Sequence, residues 1–175
     1  SDKKFPELLD AVAKVDGVKR IRYTSPHPQD VNEELLEIMA KHDNICNYIH
    51  LPLQAGSNRI LKRMNRTYTK ENFIELAEKI RTFLPGVGIS TDIIVGFPGE
   101  TEKEFNETLK VMRKVKFDSS FTFKYSPRKG TKAIEYDDQL GEDEKQQRLN
   151  KVIELQKLNT KLRNQSYVNK VVDVL

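Results

Sequence analysis

Apolar and polar positions change period several times along this chain. Four runs are rich in β-branched or aromatic residues and end near Pro or Gly: 19–26 (KRIRYTSP), 47–54 (NYIHLPLQ), 87–97 (VGISTDIIVGF) and 119–127 (SSFTFKYSP). They predict strands. Between them, apolar residues recur every three or four positions, which predicts amphipathic helices. In DVNEELLEIMAKH, Leu35, Leu36, Ile38 and Met39 make the apolar side, with Asp30 as N-cap and Glu33 completing a capping-box variant. TKENFIELAEKIRTF starts at Thr69 and sets Phe73, Leu76, Ala77, Ile80 and Phe83 on one face. TEKEFNETLKVMRKV opens on Thr101 with Glu104 at the third helical position, ahead of Phe105, Leu109 and Met112. A last helix, over about 142–166, is polar outside Leu149, Val152, Leu155, Leu158 and Leu162.

Strand followed by helix, repeated four times, predicts an α/β fold of parallel strands with right-handed crossovers. Four strands do not close an ordinary barrel. The chain starts on a helix, FPELLDAVAKV, and stops inside a β-like run, KVVDVL. The expectation is therefore part of a (βα) barrel over 1–168, truncated at its N-terminal end, with 169–175 as the first strand of a following domain.

Composition narrows the class. The 175 residues suffice for about one domain. No apolar run is long enough for a membrane span, and the first residues lack a signal-peptide core. The single Cys46 excludes an internal disulfide framework and points to a reducing, cytoplasmic setting. A formal net charge of +4 permits a nucleic-acid partner and is equally that of an ordinary soluble surface.

In βα folds the C-terminal strand ends carry the chemistry. Here those ends bring Ser25 and His27, then Gln54, Gly56 and Ser57, then Asp92 with GFPGE, then Tyr125, Ser126, Arg128 and Thr131. An inward Asp92 is a carboxylate among apolar neighbours and needs partners. A ligand diol supplies two donors; an Arg or backbone of a neighbouring strand is the alternative. Gly96 lets a flat ring approach the backbone. Arg66, after the helical segment 58–65, has the planar fork that grips a carboxylate. A ligand with a carboxylate at one end and a ribose at the other satisfies Arg66, Gln54 and Asp92 together, and an amino acid joined to a nucleoside is such a molecule. A surface Arg and a plain strand-to-helix turn are the commoner explanations of each feature taken singly.

Three long motifs, HLPLQAGSNRILKRMNRTYT, STDIIVGFPGETEKEF and FDSSFTFKYSPRKGTKA, with RYTSPHPQDV before them, resemble the radical S-adenosylmethionine (SAM) methylthiotransferases, nearest to the tRNA-modifying MiaB type. The resemblance spans essentially the whole chain. It implies a partial (βα) barrel with a [4Fe–4S] cluster that cleaves SAM. The implied product is a methylthio group on an isopentenylated adenosine beside the tRNA anticodon. It further implies a second [4Fe–4S] cluster in an N-terminal domain, a β-rich RNA-binding domain, the tRNA anticodon stem-loop as partner, and an electron donor such as flavodoxin or ferredoxin. By the same resemblance Gln54 and Asp92 hold the SAM ribose and Arg66 the methionine carboxylate. Ile94, Val95 and Gly96 lie beside the adenine, Phe121 and Phe123 offer it backbone groups, and Ser57 joins the SAM set. Ser25, His27, Tyr125 and Arg128 meet the substrate nucleotide.

The family's C-x3-C-x2-C loop is missing from this sequence, so the expectation is a piece that ligates no cluster and does not turn over by itself. His27, His42 and His50 lack metal-ligand spacing. Alternatives are a methylthiotransferase for threonylcarbamoyl-adenosine or for a ribosomal-protein aspartate, a βα-barrel enzyme of a phosphorylated metabolite, and a non-catalytic RNA-binding α/β module. Arg128, an anion-binding residue, favours RNA over the ribosomal-protein substrate.

Overall fold

The computed structural model describes residues 4–24 and 27–171. Three strands, β1 (Tyr48–His50), β2 (Gly88–Val95) and β3 (Ser119–Lys124), form one sheet in the order β1-β2-β3. Both pairings are parallel, so the fold is α/β with an open parallel sheet. The helices are α1 (Phe5–Ala13), α2 (Glu33–Lys41), α3 (Asn58–Arg63), α4 (Lys70–Phe83), α5 (Glu102–Val115) and α6 (Glu142–Gln165).

The sheet has two unlike faces. Ile89, Thr91, Ile93 and Val95 of β2 are fully buried beneath the helices, with Phe73, Ile80, Phe105, Met112 and Phe117. The other face carries His50, Ser90, Asp92 and Ile94, and across the register Phe121 and Phe123. These two aromatics are about half exposed, at 57% and 52%. One face is thus a core, and the other is left for chemistry.

Capping fixes where the helices begin. Thr69 with Asn72, and Thr101 with Glu104, make complete capping boxes on α4 and α5. Asp30, expected to cap α2, lies instead in a 3-10 turn, Pro28–Asp30. Asn32 is the cap, its Oδ1 accepting from Leu35 N at 2.9 Å. The expected first strand, 19–26, reduces among the described residues to one bridge, Ile21 with Ile45, because only Asn44 and Cys46 bond to it. The expected terminal strand falls mostly on residues 172–175, outside the described residues. The long helix α6 departs most. Leu158 and Leu162 are each 53% exposed, whereas Lys145, Arg148, Gln156 and Asn159 are buried. The reason is that α6 seats Val152 in the core and sets its amide and hydroxyl side chains on the carbonyls at the end of α5 and before β3. Gln156 donates to Phe117 O at 2.8 Å, Asn159 to Met112 O at 3.3 Å, and Thr160 to Asp118 O at 2.9 Å.

Two features hold α5 against the loop after β1. Gly56 N donates to Thr108 Oγ1 at 2.8 Å, and a Cβ on Gly56 would stand 2.4 Å from Thr108 Cα. Gly56→Ala should therefore push α5 away and cost about 1–3 kcal/mol, read as a lowered urea midpoint. Glu104 accepts from Arg59 Nε and Nη2, each at 2.6 Å, from Ser57 Oγ at 3.1 Å, and from Thr101 N at 2.9 Å. Arg59 foremost, with Thr101, lowers the Glu104 carboxyl to about 2 from an ordinary 4.5. A depressed folded-state pKa stabilises above the unfolded value and is lost as pH falls through the folded one. Stability should fall between pH 4.5 and about 2, and Glu104→Gln should flatten part of that slope in urea melts across this range.

Candidate active site at the strand ends

The β1–β2 ladder carries one residue too many. His50 pairs with Ser90, yet the next pairing is Gln54 with Ile93. Four steps on one strand oppose three on the other, which is a bulge. Its backbone is satisfied by side chains. Pro52 brings no N–H, Leu53 N donates to Thr91 Oγ1 at 3.0 Å, and the Tyr68 hydroxyl donates to Pro52 O and Leu53 O, both at 3.0 Å. Burial pushes the Tyr68 phenol up to about 12, so it stays a donor. Beyond the bulge, Gln54 N donates to Asp92 O and Ile94 N to Gln54 O. Gln54 sits at φ 70, in the left-handed region that a Gln rarely adopts. Such strain in a 7%-exposed residue points to a functional position.

A cavity of about 980 Å³ opens there, at the upper end of the roughly 300–1,000 Å³ of ligand pockets. Its wall includes Gln54, Arg66, Asp92, Ile94, Phe123, Tyr125 and Arg128. Arg66 follows α3 through Asn65, which turns the chain at φ 58. Its guanidinium forms no ion pair among the described residues, and its Nε is buried without a partner. The Tyr125 hydroxyl is likewise buried and unpartnered. The Gln54 amide makes no hydrogen bond to a described residue. Among the described residues the Asp92 carboxylate meets only His50, with Nε2 3.4 Å from Oδ2, and its side chain stays 27% exposed. It is neither bound to an Arg nor closed off. The buried, unpartnered Arg66 Nε and Tyr125 hydroxyl on one cavity wall are costly unless water or a ligand meets them, and Gln54 and Asp92 stand beside them with their side chains open to the same molecule.

The GFPGE turn now has a physical account. Gly96 N donates to Glu100 Oε2 at 2.8 Å, and Arg148 holds that carboxylate at 2.7 Å and Glu100 O at 2.8 Å. Gly96 lies at φ +69, and a Cβ on it would stand 2.4 Å from Lys145 Cγ. The glycine therefore makes room for the lysine stem, where a ligand ring was expected. Gly99 N donates to Asp138 O, Asp138 pairs with Arg63 at 2.7 Å, and Arg63 lies 4.4 Å over the Tyr136 ring. These contacts fasten the segment 126–140 across the cavity mouth.

The other expected site residues that are described stand apart from the cavity lining. Ser57 caps α3 and gives its hydroxyl to Glu104. Val95 points into the core, since strand alternation turns it away from Ile94. Phe121 packs edge-on against His50 at 5.8 Å. His27 caps the 3-10 turn and meets Tyr68 edge-on at 5.6 Å. Ser25 lies outside the described residues. Sequence reasoning missed Tyr68 and His50. For His50 the available signal was period-two spacing with Tyr48, which puts both on the open face.

A family model, the Radical SAM superfamily, matches residues 1–112. The chain belongs to the radical SAM superfamily. Membership implies SAM and an iron–sulfur cluster as cofactors. Among relatives, a tRNA-2-methylthio-N(6)-dimethylallyladenosine synthase of Clostridium botulinum (strain Okra / Type B1) is 47% identical over 171 residues, 98% of this chain and 38% of its own. Synthases of the same name from Alkaliphilus oremlandii and Finegoldia magna are 46% and 48% identical, over 36% and 37% of their lengths. The chain thus spans well under half of these relatives. Among solved structures, coproporphyrinogen III oxidase (HemN) from Escherichia coli, a radical SAM enzyme, matches with TM-score 0.62 at 20% identity, over 76% of this chain and 31% of that one. This likeness is one of fold. The cavity's donor set fits the carboxylate and diol of SAM. The cluster does not fit this chain, whose one cysteine, Cys46, is half-buried before β1.

Because Tyr68 closes the bulge, Tyr68→Phe should leave Pro52 O unpaired, Leu53 O keeping its bond from Ala55 N, and cost about 1–3 kcal/mol. Thermal melting checks the loss, and a melt identical to wild type would show that the bulge holds without the hydroxyl.

Proposed function

We propose that this chain is the SAM-binding part of a radical SAM tRNA methylthiotransferase, acting on an isopentenylated adenosine beside the anticodon. The observation that carries the reading is Arg66, an unpartnered guanidinium on the wall that Gln54 and Asp92 share. In this reading Arg66 takes the methionine carboxylate in a two-bond fork. Asp92 and Gln54 take the ribose hydroxyls. Ile94 lies against the adenine, and the β3 backbone at Phe123 faces its edge. Tyr125 and Arg128, at the mouth, meet the substrate nucleotide, Arg128 by phosphate contact or stacking. Gly96 supports the turn behind the adenine rather than touching it.

The whole protein, in this reading, draws the thiolates of its SAM cluster from outside this chain, since three are needed and one cysteine is present. It carries a second cluster, takes electrons from a flavodoxin- or ferredoxin-like donor, and works in the cytoplasm. Among the described residues no helix is long and apolar enough to cross a membrane. The names of relatives at 46–48% identity support the substrate.

The test uses the full-length, cluster-loaded protein. Arg66→Ala and Asp92→Asn should each weaken SAM binding at least tenfold in equilibrium dialysis, about 1.4 kcal/mol, with melting unchanged. Nucleosides from a strain carrying either variant should lose the methylthio group from isopentenyl-adenosine. Unaltered SAM binding by both variants would remove the cavity assignment, and loss of a different nucleoside would remove the substrate.

A further inference from the structure

A line of polar side chains runs beneath the cavity along the open face of the sheet. Tyr48 and His50 alternate onto that face from β1, and Ser90 stands opposite His50 in the register. The Ser90 side chain is fully buried, and its Oγ bonds both the Tyr48 hydroxyl and, at 2.7 Å, His50 Nδ1. His50 Nε2 faces Asp92 Oδ2 at 3.4 Å, and the Phe121 ring lies edge-on to the imidazole. The His50 side chain is 14% exposed.

With the hydrogen of a neutral His50 on Nε2, donor counting gives this line one direction. His50 Nε2 lies 3.4 Å from Asp92 Oδ2, an ion-pair approach without hydrogen-bond alignment; a carboxylate only accepts, so hydrogen on Nε2 is the arrangement that suits Asp92. His50 Nδ1 then accepts from the Ser90 hydroxyl, and the Ser90 oxygen accepts from Tyr48. The Ser90 hydroxyl holds the imidazole at Nδ1, and the Asp92 carboxylate lies beside its other nitrogen. Asp92 has no other side-chain or backbone partner for its carboxylate among the described residues. Without His50, no described side chain lies against that carboxylate.

We infer that His50 is a positioning residue: braced by Ser90 and Tyr48, it aims the Asp92 carboxylate into the cavity for a ligand diol. The inference rests on the reading that Asp92 takes the SAM ribose. A preorganised site needs its binding groups held by neighbours that are themselves locked by packing and hydrogen bonds.

The experiment again uses the full-length, cluster-loaded protein, with SAM as probe. His50→Ala should raise the SAM dissociation constant about tenfold, and Tyr48→Phe should raise it less. The KM for SAM should rise in step, while the rate at saturating SAM moves less. His50→Gln retains an N–H near Nε2 and should restore much of the affinity. His50→Ala added to Asp92→Asn should weaken binding no further than Asp92→Asn alone. Wild-type affinity in His50→Ala, with weak binding in Asp92→Asn, overturns the inference and leaves the cavity reading standing. Additive losses in the double variant also overturn it, since His50 would then act on its own. Wild-type affinity in Asp92→Asn removes the cavity reading, and this inference with it. A lowered melting temperature in His50→Ala, absent in His50→Gln, would leave the Gln variant and the double-variant comparison to decide.

Discussion

The site depends on the extra residue between His50 and Gln54 opposite Ser90–Ile93. A parallel ladder without it would place Gln54 one position further along β2. With it, Gln54 exchanges backbone hydrogen bonds with Asp92 and Ile94. The irregular turn survives because its polar groups are met by Thr91 and Tyr68 and because Pro52 has no N–H to satisfy. The strain at Gln54, of order 1–3 kcal/mol for a non-glycine residue in this region, is held by the surrounding core.

Around that turn the molecule is fastened by charge rather than by apolar contact alone. Arg59 and Glu104 fix the start of α5, and Arg148 with Glu100 fixes the turn after β2. Arg148 and Glu100 are nearly solvent-free, at 2% and 1% side-chain exposure. A buried pair of this kind adds little net stability, but losing one member strands the other. Its effect here is geometric, since Glu100 also receives Gly96 N. Arg66 contrasts with all of these. Arg59, Arg63 and Arg148 each have a carboxylate partner, whereas Arg66 pairs with no described residue.

Much of this was legible in the chain itself. The Thr69 and Thr101 boundaries follow from local capping chemistry. The convergence of Gln54, Arg66 and Asp92 follows from their places at strand and helix ends. Less legible were features that depend on what another segment brings. Gly96 reads as an opening for a ligand ring, but Lys145, about fifty residues later, fills the space. Ser57 reads as a site hydroxyl, but Glu104 claims it. The leucines Leu158 and Leu162 read as a buried stripe, but α6 turns its amides inward to meet backbone carbonyls.

By itself the sequence determined the α/β order, the helix starts and the residue types able to meet a carboxylate and a diol. These rest on interactions within a few residues, or on motifs that stay together in the chain. Only the tertiary structure decided the bulge, the place of His50 beside Asp92, the lysine stem beside Gly96, and the turning of Ser57 and Val95 away from the cavity. Each of these depends on register between strands about forty residues apart, or on a side chain from a distant helix. A shift of one position in such a register reverses the face that every following residue presents.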